Sequence, residues 1–130
     1  MEKRKTNKFK ISDRLKSFGF AWKGILSAIR EQHNFRIHLA AALLAILLGW
    51  ITKISPGEWL AIIVMTGMVL ATELLNSAIE ELVDLLSPEL RPLAGKVKDL
   101  AAGAVLVASI AAAATGLIVY IPHLFKLLFN

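Results

Sequence analysis

Four polar residues follow a charge-free run in the middle of this chain. Trp59 to Thr72 carries no charge, and Glu73, Asn76, Glu80 and Asp84 come directly after it. On a helix turning roughly 100° per residue, Asn76 lies about 300° from Glu73, Glu80 about 340° and Asp84 about 20°. All four share an arc of about 80°, whereas Glu81 points away from it as an ordinary solvated charge. Carboxylates one or two turns apart on a single face can hold a hard divalent cation such as Mg²⁺ through oxygen. Glu73 sits about 21 Å of helix beyond Trp59, and Glu80 about 10 Å further on. That spacing puts Glu73 at the edge of a hydrocarbon layer and Glu80 in the water beyond it. A carboxylate at such a boundary can take a proton from an alcohol whose apolar tail stays in lipid. Lys96 and Lys98, later in the chain, suit a polyphosphate. Together these groups describe phosphoryl transfer from a nucleotide to a lipid hydroxyl. A helix that simply leaves the membrane with a polar face is the other reading the same residues permit.

The elements that must position these residues are apolar. Of the 130 residues, 56% are hydrophobic and only 19% are charged, and the mean hydropathy is +0.62. A single small domain cannot hide that much apolar surface in its own core, whereas a bilayer accepts it. A soluble helical bundle is the alternative that this composition disfavours. Three stretches stand out: Leu39 to Ile51, Trp59 to Ala71, and Leu100 to Phe125, the last without a formal charge. A hydrocarbon core of about 30 Å needs about 20 helical residues. The third stretch meets this alone, and the first two meet it if their polar flanks continue the helix. The expected architecture is an all-α membrane protein forming one domain over residues 1–130. A surface helix spans about 8–33, and membrane spans cover about 35–53, 57–86 and 96–122.

Basic residues give the orientation. Ten of the 15 fall between Lys3 and Arg36, and Arg91, Lys96 and Lys98 lie between the second and third stretches, which leaves Lys53 and Lys126 for the other side. This asymmetry puts the N-terminus and the Glu73–Lys98 region in the cytoplasm. Ser55, Pro56 and Gly57 then form an external turn flanked by Trp50 and Trp59. Ahead of the first span, Ile11, Leu15, Phe18, Trp22, Leu26 and Ile29 recur every three or four residues. That pattern is an amphipathic helix lying in the headgroup layer, whose basic side chains also anchor it to anionic lipid. The segment Met1–Arg36 lacks the apolar core and cleavage site of a signal peptide. Ala104, Ala108, Ala112 and Gly116 form a small-residue ridge that allows close helix approach, within one copy or between copies.

Other chemistry is poorly supported. No cysteine is present, which excludes disulfides and cysteine metal sites. Neither a P-loop nor a protein-kinase signature occurs. His33, His38 and His123 are spaced as interfacial residues and do not form a ligand set. A small transporter would place polar or broken segments on more than one span, whereas Leu39–Ile51 and Leu100–Ile121 hold no ionisable side chain except Tyr120 and no proline. A non-catalytic assembly protein, docking a basic partner on the acidic stripe, is the remaining alternative. Nothing implies a nucleic-acid partner.

The run Glu73-Leu-Leu-Asn76-Ser-Ala-Ile-Glu80-Glu-Leu-Val-Asp84 resembles the signature of the small prokaryotic integral-membrane lipid kinases, the diacylglycerol kinase and undecaprenol kinase family. The likeness extends to Trp22-Lys-Gly24, Asn34-Phe-Arg-Ile-His38 and Gly95-Lys-Val-Lys98-Asp99, and covers Lys16 to Ile121. It implies a homotrimer of three-span protomers with active sites shared between neighbours, using ATP and Mg²⁺ on a lipid alcohol. By matching position it implies that Glu73 is the catalytic base and that Asn76 places the acceptor and the γ-phosphate. Glu80 becomes a metal ligand. Lys98 meets phosphate and Asp99 the sugar or base, with Lys96, Lys16 and Arg14 as further nucleotide contacts and Trp22 at the lipid. The family's second metal glutamate aligns with Gln32, while the acid here is Glu31; a shift of one residue turns a side chain by about 100°. Glu31 is preferred for that role, with Gln32 as the aligned alternative. Ala21 also departs from relatives that carry a hydroxyl there. The segments around Asn34–His38 and Pro92–Lys96 are similar to the Gram-positive-type branch, which generally prefers undecaprenol over diacylglycerol.

Overall fold

The computed structural model describes residues 11–87, 89 and 91–129, so the expected start of the surface helix at residues 8–10 lies outside it. Among these residues the chain is entirely helical: α1 (Ile11–Glu31), α2 (His33–Thr52), α3 (Pro56–Leu86) and α4 (Pro92–Phe129). Helices α2, α3 and α4 are each long and apolar enough to cross a membrane. At 31 residues, α3 is about 46 Å long and exceeds an approximately 30 Å hydrocarbon core by more than two turns. By length alone, that surplus lets α3 extend beyond such a core without breaking the helix. α4, at 38 residues, runs past both ends of its expected span. Pro122 does not stop it.

Local chemistry explains the breaks. Gln32 adopts an extended conformation between α1 and α2, while backbone bonds from Gln32 N–H to Ala28 and from Arg36 N–H to Gln32 carry the chain across the joint. At the other end of α2, Lys53 takes a left-handed φ of 53°, the usual way for a helix to end. α3 then starts on a full capping box. Ser55 Oγ accepts from Glu58 N–H, Glu58 Oε2 accepts from Ser55 N–H at 2.7 Å, and Pro56 occupies the first turn. These contacts satisfy backbone donors that would otherwise be orphaned.

The most extensive packing is between α3 and α4; α2 lies against both, and α1 touches α2 and α3. Little is buried. Leu106, Val107, Leu117 and Ile118 on α4 are exposed, as are Leu43, Leu44 and Leu47 on α2. Helices apolar on every side are stable only in lipid or inside a larger assembly. On α1, Ile11, Leu15, Phe18 and Trp22 are exposed while Ala28, near its end, is buried. The helix therefore leans on the bundle through its last turns and presents its apolar stripe outward.

The capped end is held by Ile54, Ile62, Val119 and Tyr120, with Trp59 and Leu48 packed around them. Tyr120 Oη donates to the Ala45 carbonyl at 2.6 Å, tying α4 to α2. Gly49 makes room for Trp59: a Cβ there would lie 2.7 Å from that indole. Gly49→Ala is expected to destabilise the fold by about 1–3 kcal/mol through overpacking. Gly67→Ala, whose Cβ would meet nothing, should stay within about 1 kcal/mol of the parent. Reversible unfolding in mixed detergent micelles compares the two.

Candidate functional site

The inward face of α3 is one continuous stripe: Ile62, Thr66, Val69, Glu73, Asn76 and Ser77, then Glu80. These positions are spaced three and four apart, so one helix phase passes from apolar to polar along its length. Ile62 and Val69 are buried in the bundle, and Glu73, Asn76 and Ser77 are 3%, 4% and 6% exposed. The acids expected from sequence to share a face do so as far as Glu80, which is half-buried. Ser77 is an addition. It lies one turn beyond Glu73, and the spacing alone was a sufficient signal for it.

Two features of this stripe are chemically unusual. The Glu73 carboxylate accepts no hydrogen bond among the described residues, although burial makes an unpaired charge costly. Asn76 donates from Nδ2 to Glu80 Oε1 at 2.9 Å, while its buried Oδ1 has no partner. A buried acceptor without a donor marks a place where a donor from outside can bind.

Around the stripe, α1 and α4 supply flanking groups. A groove of about 460 Å³ between α1 and α3 is lined by Ala21, Gly24, Ala28, Gln32, Ser77 and Glu81. Gln32 Nε2 donates to Glu81 Oε1 at 3.4 Å across it, so Glu81 has a partner that its helical position did not suggest. Gln32 thus faces α3, and Glu31 is exposed on α1. On α4, Lys98 Nζ pairs with Asp84 Oδ1 at 2.5 Å, fastening the start of that helix to the end of α3. With the partners 35% and 67% exposed, such a bridge contributes at most about 1 kcal/mol. Asp84 therefore serves Lys98 and is exposed.

Within one chain the nucleotide candidates do not converge. Lys98 lines a recess of about 340 Å³ with Asp84, Ser87 and Arg91. Asp99 lines a separate lateral groove with Met68, Thr72 and Gly103. Lys96, Lys16, Arg14 and Trp22 are exposed. Among the described residues no three His, Asp or Glu side chains gather as a metal cluster. The oxygen donors expected for a metal stand apart: Glu80 accepts from Asn76, and Gln32 crosses the groove to Glu81. Mg²⁺ tolerates such sparse protein ligation because water and phosphate complete its shell.

Residues 19–120 match the family model described as prokaryotic diacylglycerol kinase. The chain belongs to the prokaryotic diacylglycerol kinase family. An undecaprenol kinase from Bacillus subtilis is 40% identical over 109 residues, covering 84% of this chain and 89% of the relative. A diacylglycerol kinase from Synechocystis is 36% identical over 115 residues, 88% of this chain and 66% of the relative. One from Escherichia coli K12 is 34% identical over 109 residues, 84% and 89% of the two chains. The protein is thus a membrane-embedded lipid kinase, and the buried polar end of α3 lies inside the matched region. In this kinase Asn76→Leu is expected to stay within about 1 kcal/mol of the parent, because losing the bond to half-buried Glu80 is offset by removing an orphaned buried acceptor. Turnover should nevertheless fall about 10- to 100-fold, equivalent to losing about 1–3 kcal/mol of hydrogen bonding at the site. Denaturant titration and a phosphoryl-transfer assay on the same preparation check both halves.

Proposed function

We propose that this kinase transfers the γ-phosphoryl group of ATP to the hydroxyl of undecaprenol at the cytoplasmic face of the cell's inner membrane. The observation that carries the reading is the Glu73 carboxylate, buried, without a hydrogen bond among the described residues and placed where an apolar helix stripe turns polar. An alcohol held by its tail in lipid would bring its hydroxyl to that carboxylate. Glu73 accepts the proton as the oxygen attacks phosphorus, and ADP leaves. Asn76 Oδ1 is available to the hydroxyl or to an ordered water beside it. Lys98, released from Asp84, neutralises phosphate charge, and Asp99, Lys96, Lys16 and Arg14 belong to the nucleotide side, with Trp22 at the lipid. Bound Mg²⁺, held by Glu80 together with Gln32 or Glu31, supplies further neutralisation of the triphosphate.

The separation of Lys98 and Asp99 into different grooves supports a trimer in which neighbouring protomers complete each site. The exposed small residues Ala104 and Ala111, which line the groove that begins at Asp99, suit the close helix contacts this requires. The basic N-terminal segment supports an N-terminus in the cytoplasm.

Replacing Glu73 with Gln keeps the shape of the side chain and removes the base. Turnover is expected to fall by about 10² to 10⁴, with ATP binding and oligomeric state kept. Near-normal activity in radiolabel transfer would show that Glu73 is not the base. Undecaprenol is preferred because the Bacillus subtilis relative bears that name at 40% identity; the relatives named diacylglycerol kinase support the second reading, diacylglycerol to phosphatidic acid. With both lipids offered in the same mixed micelles, the higher kcat/KM should go to undecaprenol. Equal or faster phosphorylation of diacylglycerol reverses the assignment.

A further inference from the structure

A cavity of about 300 Å³ lies among α2, α3 and α4. It follows the inward stripe of α3 through Ile62, Thr66 and Val69, and Val69 stands one helical turn before Glu73. The stripe that carries the proposed base therefore continues into the bundle as one wall of this space. From Ile62 to Glu73 is about 16 Å of helix.

The other walls are made of small side chains. α2 contributes Ala42 and Ala45, and α4 contributes Ala112 and Gly116. The lining also includes Ala41 and Ala113, which are exposed, so the space is open at the side of the bundle. Polar groups are few. Thr66 donates its hydroxyl to the Ile62 and Ile63 carbonyls at 2.8 and 3.1 Å. Ser109 Oγ is buried without a partner, and His38 is the one ionisable side chain of the lining.

What fits this space is a single hydrocarbon chain. An apolar cavity of about 150 Å³ takes one benzene and stays dry, so twice that volume takes about a dozen carbon atoms. A helix, about 10 Å across with its side chains, is too wide to enter. A ligand rich in polar groups would leave them unpaired among alanines. A chain whose hydroxyl lies at Glu73 and whose first carbons run toward Ile62 meets both the polar and the apolar part of the stripe.

We propose that this cavity receives the hydrocarbon chain adjoining the acceptor's hydroxyl, and that Ala42, Ala45, Ala112 and Gly116 select an acceptor with one chain and no second polar group near that hydroxyl. This rests on the reading of the protein as a lipid kinase that holds the alcohol at Glu73. A polyprenol meets the requirement, because only carbon and hydrogen follow its hydroxyl. A diacylglycerol does not. Its two ester groups lie next to the hydroxyl, and apart from Ser109 and His38 the lining offers no uncommitted side-chain donor. An ester oxygen buried away from both costs affinity, and the second acyl chain is left outside. Both lipids are already out of water, so the choice between them comes from dispersion contacts and unpaired polar groups.

The test uses the full-length protein in mixed micelles and has two readouts. In the first, an isoprenoid alcohol bearing a diazirine near its hydroxyl end is photocrosslinked, and the adducts are mapped by peptide mass spectrometry. Adducts are expected on cavity residues such as Met65 and Ala112, and excess undecaprenol should remove them. Adducts confined to outward residues such as Leu43, Leu47 and Leu106 overturn the proposal, as do cavity adducts that undecaprenol leaves in place. The second readout is kcat/KM for undecaprenol relative to the shortest isoprenoid alcohol. Ala112→Leu, which fills the cavity, should lower that ratio by about tenfold or more, through KM. A ratio within about twofold of the parent overturns the proposal. Where leucine disturbs the bundle, Met65→Ala works in the opposite direction. It enlarges the cavity and should lengthen the chain at which kcat/KM stops rising, and an unchanged length profile counts against the pocket. Glu73→Gln separates the two levels. If it loses turnover while the adducts fall on outward residues, the pocket alone is wrong. If it keeps turnover, the assignment of Glu73 as base fails, and the adducts still decide the pocket.

Discussion

A peptide backbone inside hydrocarbon has no partner for its N–H and C=O groups except itself, so α3 cannot leave the helical conformation while it crosses lipid. Its side-chain phase is therefore preserved from Ile62 to Glu80. Whatever faces the bundle in the bilayer still faces it at the water. This constraint turns a packing stripe into a site: Val69 is buried because α2 and α4 cover that face, and Glu73, Asn76 and Ser77 are buried for the same reason. Acids on any other face of α3 would meet lipid or open water. Glu81, one position past Glu80, illustrates the difference, since it is exposed.

The two ends of the bundle divide the work. At the capped end, the Ser55–Glu58 box, the Gly49–Trp59 approach and the Tyr120 bond to Ala45 hold three helices together. A further ion pair, His123 to Glu58 at 3.6 Å, joins α4 to the first turn of α3. At the polar end the connections are fewer and more exposed: Lys98 to Asp84, and Gln32 to Glu81. On the proposed reading nucleotide enters and ADP leaves at this end, and weak solvated contacts permit that where a packed apolar cluster would not. The capped end thus fixes the phase of α3, and the polar end is held by fewer contacts.

The break at Gln32 matters for the same reason. Ending α1 at Glu31 and starting α2 at His33 lets α1 leave the bundle direction while Gln32 stays against α3. The one-residue offset between Glu31 and Gln32 in the sequence becomes a difference of surroundings. Glu31 stands in solvent and Gln32 faces a groove. A neutral amide oxygen at the groove costs less to bury than a carboxylate.

Much of this was legible before any coordinates. Three apolar stretches, a periodic apolar stripe near the N-terminus and the Ser-Pro-Gly turn specify helices and their ends, because helical periodicity and capping are local. The spacing of Glu73, Asn76 and Glu80 specifies a shared face for the same reason, and the motif they form identifies the family. What the sequence could not determine is which residues from other helices meet that face. His38 looked interfacial and lines a cavity among α2, α3 and α4; Asp84 looked part of the acidic row and pairs with Lys98; Lys98 and its neighbour Asp99 open onto different grooves. Each depends on how α2, α3 and α4 are rotated about their axes. That rotation is set by side-chain packing between helices distant in sequence, which no local pattern encodes.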